Sequence, residues 1–290
     1  MRNYYHYCSK GLEREILFKD TLEFIAGINR IGVCFLLSSI SGRRIKILSF
    51  CLMDNHFHFV LYGEETDCTA FVDRYKKLTL MWISSHRGVS LGEEIEVGHW
   101  PISRDKVHEK IVYLHRNPVA AGIKQLPYFY RWSSASLLFS GRPDIPEAMT
   151  RASGISASKK AKLVSSRVAI PDNWLFDKDG IVWPGCFVDI KMAESQFQSI
   201  GSYMFEMNNG NIDKECEREM LQGSIMLPDG DVLKKAESLA DNLFGIQEIA
   251  GCSLAERISL ATLLKKEMGC NSKQLGRIFN LKPNEIRLIV

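Results

Sequence analysis

The chain has 290 residues, 24% of them charged and 46% hydrophobic, which is ordinary for a soluble globular protein and enough for one full core plus a smaller module. A formal net charge of +3 is too small to mark a nucleic-acid binder by itself, and eight cysteines without a C-x-x-C pair match no zinc spacing and read as reduced cytosolic thiols. The polar, aromatic start Met1-Arg2-Asn3-Tyr4-Tyr5-His6 is no secretion signal, and without a run of about 18 apolar residues no membrane span is expected.

In chain order, Tyr4–Ser9 is short and aromatic and predicts a strand. Asp20–Cys34 carries Leu22, Phe24, Ile25, Ile28 and Ile31 at helical spacing, with Asp20 as N-cap. Ile45–Met53 and Phe57–Tyr62 are apolar strands, and Asp54-Asn55 between them supplies the turn of a hairpin. Thr66–His86 sets Phe71, Tyr75, Leu78 and Trp82 on one helical face, Ile95–Ile102 predicts a fourth strand, and Arg104–Arg116 a helix that Pro118 should end before Asn117. The order β-α-β-β-α-β plus a helix is the split β-α-β, ferredoxin-like plan of an α+β fold with an antiparallel sheet.

Residues 141–168 are poor in large apolar side chains and read as a linker after a first domain of residues 1–140. Beyond it lies an accessory region of residues 169–251, with a hairpin in Trp174–Phe187 and helices in Val188–Glu206 and Val232–Phe244. Leu254–Met268 is a further helix. Ser272–Phe279, with Ser272 as N-cap, and Pro283–Val290 then form a helix-turn-helix-like pair within residues 252–290. Residues 254–290 hold seven Lys/Arg against three Asp/Glu, a basic excess that suits DNA contact through Lys273, Arg277, Lys282 and Arg287. It suits a solvated trihelical module with no DNA role equally well.

Chemistry concentrates in two motifs. In Met53-Asp54-Asn55-His56-Phe57-His58-Phe59, residues two apart on a strand share a face. His56 and His58 therefore project together, roughly 6–7 Å apart at the backbone, and Phe57 and Phe59 enter the core. Two such imidazoles either hold a divalent metal or form a plain surface pair. In Lys110-Ile111-Val112-Tyr113-Leu114-His115-Arg116-Asn117-Pro118, Tyr113 and Asn117 are four apart on one helical face. The amide oxygen of Asn117 is a candidate third ligand. Asp54 or a water is another way to complete the shell. Tyr113 is either a core aromatic or a nucleophile for a phosphodiester that a metal has polarised. His6, His86, His99, His108 and His115 read as ordinary polar or core residues.

Together these motifs resemble the single-tyrosine HUH transposases, in particular the REP-associated branch. Ser9-Lys10-Gly11-Leu12-Glu13-Arg14 and Arg131-Trp132-Ser133-Ser134-Ala135 resemble that branch's flanking segments, so the resemblance covers about residues 4–139. It departs at Ala120, where relatives often carry Arg. The resemblance implies Mg²⁺ or Mn²⁺ as cofactor, His56, His58 and Asn117 as ligands, and Tyr113 as the nucleophile. The substrate implied is single-stranded DNA, often at hairpin-flanked sites, cut through a 5′-phosphotyrosine. Relatives act as monomers or homodimers, without a membrane, and a cytoplasmic, nucleoid-associated bacterial protein is expected. Lys10, Arg14, Lys76, Lys77 and Arg116 are candidate phosphate contacts beside stacking aromatics, each weighed against a solvated surface charge. The alternatives are a domesticated hairpin-DNA-binding protein without transposition activity, a relaxase or replication initiator, and a structural zinc protein.

Overall fold

The computed structural model describes residues 1–12, 15–92, 94–121, 123, 126–140, 149–209 and 229–289. It shows a mixed α/β protein built on a four-stranded antiparallel sheet of β1 (Asn3–Ser9), β2 (Lys46–Met53), β3 (His56–Gly63) and β4 (Val97–Ile102), in the order β2-β3-β1-β4. Strands β2 and β3 are joined through Asp54 and Asn55, with Met53 opposite His56. The turn's carbonyls are fully used. That of Asp54 accepts the N–H groups of Leu17 and Phe18, and that of Asn55 accepts Leu12 N–H.

Alternation along the strands divides the chemistry between two faces. Phe57 and Phe59 each meet Tyr75 of α2 (Glu65–Arg87) at ring-centroid distances of 5.1 Å. Helix α1 (Thr21–Ile40) packs on the same face, where a Cβ on Gly27 would lie 2.7 Å from Phe18 and 3.0 Å from Leu52. Asp20 caps α1 as expected by accepting the Glu23 N–H at 3.0 Å. The helix runs past Cys34 because Phe35, Leu36 and Leu37 keep packing on the core, and it ends at Ser41 before Gly42 at φ 76°.

By length and composition α1 could cross a membrane, which the sequence reading did not anticipate, yet 67% of that window is buried in the fold. Several of its polar groups find partners inside. Glu23 pairs with Arg87, Asn29 donates to the carbonyls of Leu163 and Gly180, and Arg30 donates to that of Leu78.

The opposite face carries α3 (Val107–Ala120). The helix does not stop before Asn117. It passes through Pro118, with Leu114, His115, Asn117 and Pro118 all buried, so packing overrides the local penalty of the X-Pro step. His115 pins it to the sheet: its Nε2 lies 3.0 Å from both Ser49 Oγ and Ser134 Oγ, and its Nδ1 3.0 Å from Tyr203 Oη. Segment 130–135 borders β2, with Leu52 N–H bonded to Trp132 O and Ser134 N–H to Phe50 O.

The C-terminal half differs from its reading in three places. Within the expected linker, residues 141–148 lie outside the described residues. The remainder is folded, with β5 (Thr150–Arg151) paired to β6 (Leu175–Phe176) and α4 at Ala157–Val164. Ala152 and Val164 are fully buried in the main core, which lets so polar a segment pack. Val188–Glu206 is two helices, α5 (Ile190–Glu194) and α6 (Ile200–Asn209), separated at residues 195–199.

A second core joins Ile16 to α7 (Asp229–Phe244), α8 (Leu254–Met268), α9 (Ser272–Ile278) and α10 (Pro283–Ile286). Asn271, not Ser272, caps α9 by accepting Gln274 N–H at 2.8 Å. Asn280 makes the turn to α10 at φ 48°.

Candidate active site

The β1–β3 register puts Cys8 opposite His58 and His6 opposite Val60. His6, Cys8, His56 and His58 therefore share the face that α3 covers. His56 and His58 rings are 4.7 Å apart and nearly perpendicular. Tyr113 presents its ring edge-on to His58 at 5.7 Å and to His6 at 5.9 Å. The Lys110 ammonium stands 5.2 Å from the centre of the Tyr113 ring. Helix α3 thus brings Tyr113 and Asn117, one turn apart, against the two strand histidines.

The hydrogen bonds assign His56 its tautomer. Asn55 Nδ2 donates to the Leu12 carbonyl at 3.2 Å, so Asn55 Oδ1 is the atom facing His56 Nδ1, at 2.8 Å. An oxygen acceptor there requires the proton on Nδ1 and leaves Nε2 with a lone pair. That Nε2 lies 3.2 Å from Asn117 Oδ1. With this tautomer the His56 lone pair and the Asn117 amide oxygen are presented to the same space. Their separation suits neighbouring ligands on one small cation, which at metal–oxygen distances of about 2.1 Å are about 3 Å apart. Imidazole nitrogen and amide oxygen are both donors that divalent cations accept.

Burial keeps these imidazoles neutral, the form that ligates a metal. It lowers His56 to about 4, against a smaller opposing effect of the Asn117 contact. Burial, followed by the nearby Lys110, lowers His6 to about 4. His58 is driven well below its ordinary value by burial, then by His56, His6 and Lys110. Burial also pushes the Cys8 thiol up to about 12.

His6, Cys8 and His58 offer ligand atoms all within 4.8 Å of one another, a cluster whose spacing admits a metal ion. The sequence presents His6 as an ordinary polar or core residue. The available signal was its place on a strand two residues before Cys8, but the contact appears only once β1 pairs with β3.

His56, His58, Tyr113 and Lys10 line one cavity of about 760 Å³, and Lys273 and Arg277 of α9 line its other side. Of the basic residues singled out, Lys10 is exposed at this rim. Arg14 lies outside the described residues. Lys76 and Lys77 stand on α2, across the sheet from the histidines, because Tyr75 anchors that helix to Phe57 and Phe59. Lys76 also donates to the Ile95 carbonyl at 3.1 Å.

Arg116 donates to the Met207 carbonyl at the end of α6. Arg277 is held by Asp229 in a buried ion pair at 2.8 Å rather than presented to solvent. Asp54 lines the same cavity, and its carboxylate accepts the Asp229 N–H at 2.6 Å. His99 contacts Glu65 at 2.7 Å, and His86 stacks on Trp82.

No family model and no curated protein matches this chain. Among solved structures it is similar to a REP-associated tyrosine transposase bound to a REP hairpin. The identity is 13% and the TM-score 0.34, over 50% of this chain and 82% of that one.

Proposed function

We propose that this chain is a metal-dependent, single-tyrosine strand transferase for single-stranded DNA, with Tyr113 as nucleophile and His56, His58 and Asn117 as ligands of Mg²⁺ or Mn²⁺. The observation that carries the reading is the bare His56 Nε2 facing Asn117 Oδ1 at 3.2 Å, on the face where His58 meets Tyr113. The strand order supports the ferredoxin-like plan, and the pair α9–α10 is the candidate helix-turn-helix module of residues 252–290.

The phenolic oxygen of Tyr113 gives up its proton to solvent and attacks the scissile phosphorus, the P–O3′ bond breaks, and the 3′-oxygen leaves and takes up a proton from solvent. The chain is then joined to the 5′-phosphate. A phenol of pKa near 10 needs help at neutral pH. Lys110, over the ring, favours the charge that develops on the oxygen. When bound, the cation polarises the phosphate and stabilises the leaving oxygen. A second 3′-hydroxyl attacking the phosphotyrosine reverses the step and joins new strands without an energy cofactor.

Labelled single-stranded hairpin DNA with Mn²⁺, run on a denaturing gel, tests this. A covalent protein–DNA band is expected, absent in Tyr113→Phe, His56→Ala and His58→Ala. A band that persists in Tyr113→Phe moves the nucleophile elsewhere. Metal-independent binding with no band in the wild-type protein favours a DNA-binding protein without strand transfer.

A further inference from the structure

His6 is buried behind the donor set, 7% exposed. Its Nε2 lies 3.2 Å from His58 Nδ1. The two rings are 15° from coplanar, with centroids 5.4 Å apart. That centroid distance is close to the nitrogen–nitrogen distance plus the two ring radii. The nitrogens therefore meet edge to edge in a shared plane, not face over face. A contact of this kind between neutral imidazoles holds one proton, donated by one ring and accepted by the other.

Reading His58 as a ligand through Nε2 decides which ring donates, because it leaves the His58 proton on Nδ1. The Nε2 edge of His58 is the one near Cys8, at 3.9 Å, and both residues line the cavity. The Nδ1 edge points back to His6, which is wedged between Trp100 at 5.8 Å and Tyr113 at 5.9 Å. An imidazole that ligates a metal ordinarily gives its second N–H to an acceptor, and this fixes both tautomer and ring orientation. His56 has that acceptor in Asn55 Oδ1.

We propose that His6 is the corresponding positioning residue for His58: its Nε2 accepts the His58 Nδ1 proton, directs the His58 Nε2 lone pair into the cavity, and sets the Tyr113 ring beside it. The assignment rests on the reading of His58 as a ligand. It adds that the two ligands are held by partners of different chemistry, an amide from the hairpin turn and an imidazole from the neighbouring strand. One buried residue then couples cation geometry to the orientation of the tyrosine.

Two measurements test it. Nitrogen NMR of the imidazoles in the metal-free full-length chain is expected to show His58 protonated on Nδ1 and bare on Nε2. A His58 proton on Nε2 overturns the proposal, and this readout requires neither cation nor DNA. Mn²⁺ titration followed by electron paramagnetic resonance then compares the wild type with His6→Leu and His6→Gln. Binding 10–100-fold weaker is expected for His6→Leu, the usual range for loss of such a partner. His6→Gln, whose side-chain oxygen can take the same proton, is expected to recover most of the affinity. Unchanged Mn²⁺ binding by a folded His6→Leu protein overturns the proposal, and so does a His6→Gln protein as weak as His6→Leu. If the wild type itself binds no Mn²⁺, the ligand reading of His58 fails while the NMR result still decides the His6–His58 hydrogen bond.

Discussion

The Asp54 carboxylate accepts the backbone N–H of Asp229 at 2.6 Å. This contact ties the C-terminal helices to the turn that leads into His56. The Asp229 carboxylate is itself gripped by Arg277 at 2.8 and 3.1 Å and by Gln274 Nε2 at 2.9 Å. The same helices meet the N-terminal half through Ile16, and Gly230 comes so close to it that a Cβ there would lie 2.5 Å from the Lys19 carbonyl.

Arg277→Ala is therefore expected to loosen the C-terminal helices while leaving the sheet intact. Removing one partner of a buried pair costs about 3–5 kcal/mol, and the Asp229 side chain is only 2% exposed. Hydrogen exchange should accelerate across 229–289 and not in the four strands. Unchanged protection there would mean that the pair does not hold the module in place.

Arg87 plays a comparable part on the segment that the C-terminal helices touch, around Ile16 and Leu17. Its guanidinium grips Glu23 with two bonds, of 2.7 and 2.6 Å, and also donates to the carbonyls of Ile16 and Leu17. Arg87→Ala would leave Glu23, 1% exposed, as a buried carboxylate without its charged partner, still accepting the Lys19 N–H. A loss of about 3–5 kcal/mol follows. It should be read as a lower urea midpoint with an unchanged slope. A midpoint within error of the wild type would show that Glu23 finds another partner.

His115 gives a pH signature separable from the candidate site. Burial lowers it from an ordinary 6.5 to about 3. Between those values the unfolded chain binds the proton and the folded chain does not. Its contribution is thus fully present above pH 6.5 and is lost as pH falls toward 3, by about 1.4 kcal/mol per pH unit. Asp54, raised to about 7 mainly by burial and then by Asp229, acts with the opposite sign: its contribution is lost as pH rises from about 4 to about 7. The test is therefore a difference. His115→Gln is expected to make the slope of unfolding free energy against pH shallower by about one proton between pH 6 and 4. Identical slopes would show that His115 titrates equally in both states.

Much of the site was readable because its geometry is local. The side-chain period of two along His56-Phe57-His58 assigns the histidines and phenylalanines to opposite faces. The four-residue step from Tyr113 to Asn117 puts them on one helical face, and α3 keeps that step because it continues through Pro118. What was not readable depends on partners far away in the chain. His6 reaches His58 only through strand pairing. Arg277 looked like a DNA contact until Asp229, 48 residues earlier, took its guanidinium. Lys76 and Lys77 gave no sign of which side of the sheet α2 would cover.

The turn around Asn55 supplies the last prediction. Asn55 fixes the His56 tautomer through Oδ1 and is itself fixed by the Leu12 carbonyl through Nδ2. Asn55→Ala is expected to weaken Mn²⁺ binding 10–100-fold, the range found when the hydrogen-bond partner of a metal-ligating histidine is lost, without removing any ligand. Gly11→Ala should act in the same direction, because its new Cβ would lie 2.8 Å from Asn55 Nδ2 and displace the amide from Leu12. Mn²⁺ titrations of both variants, read beside their circular dichroism spectra, check this. Two folded variants with wild-type affinity would show that His56 needs no partner at Nδ1, and that the convergence of Asn55, His56 and Asn117 is packing rather than preparation for a cation.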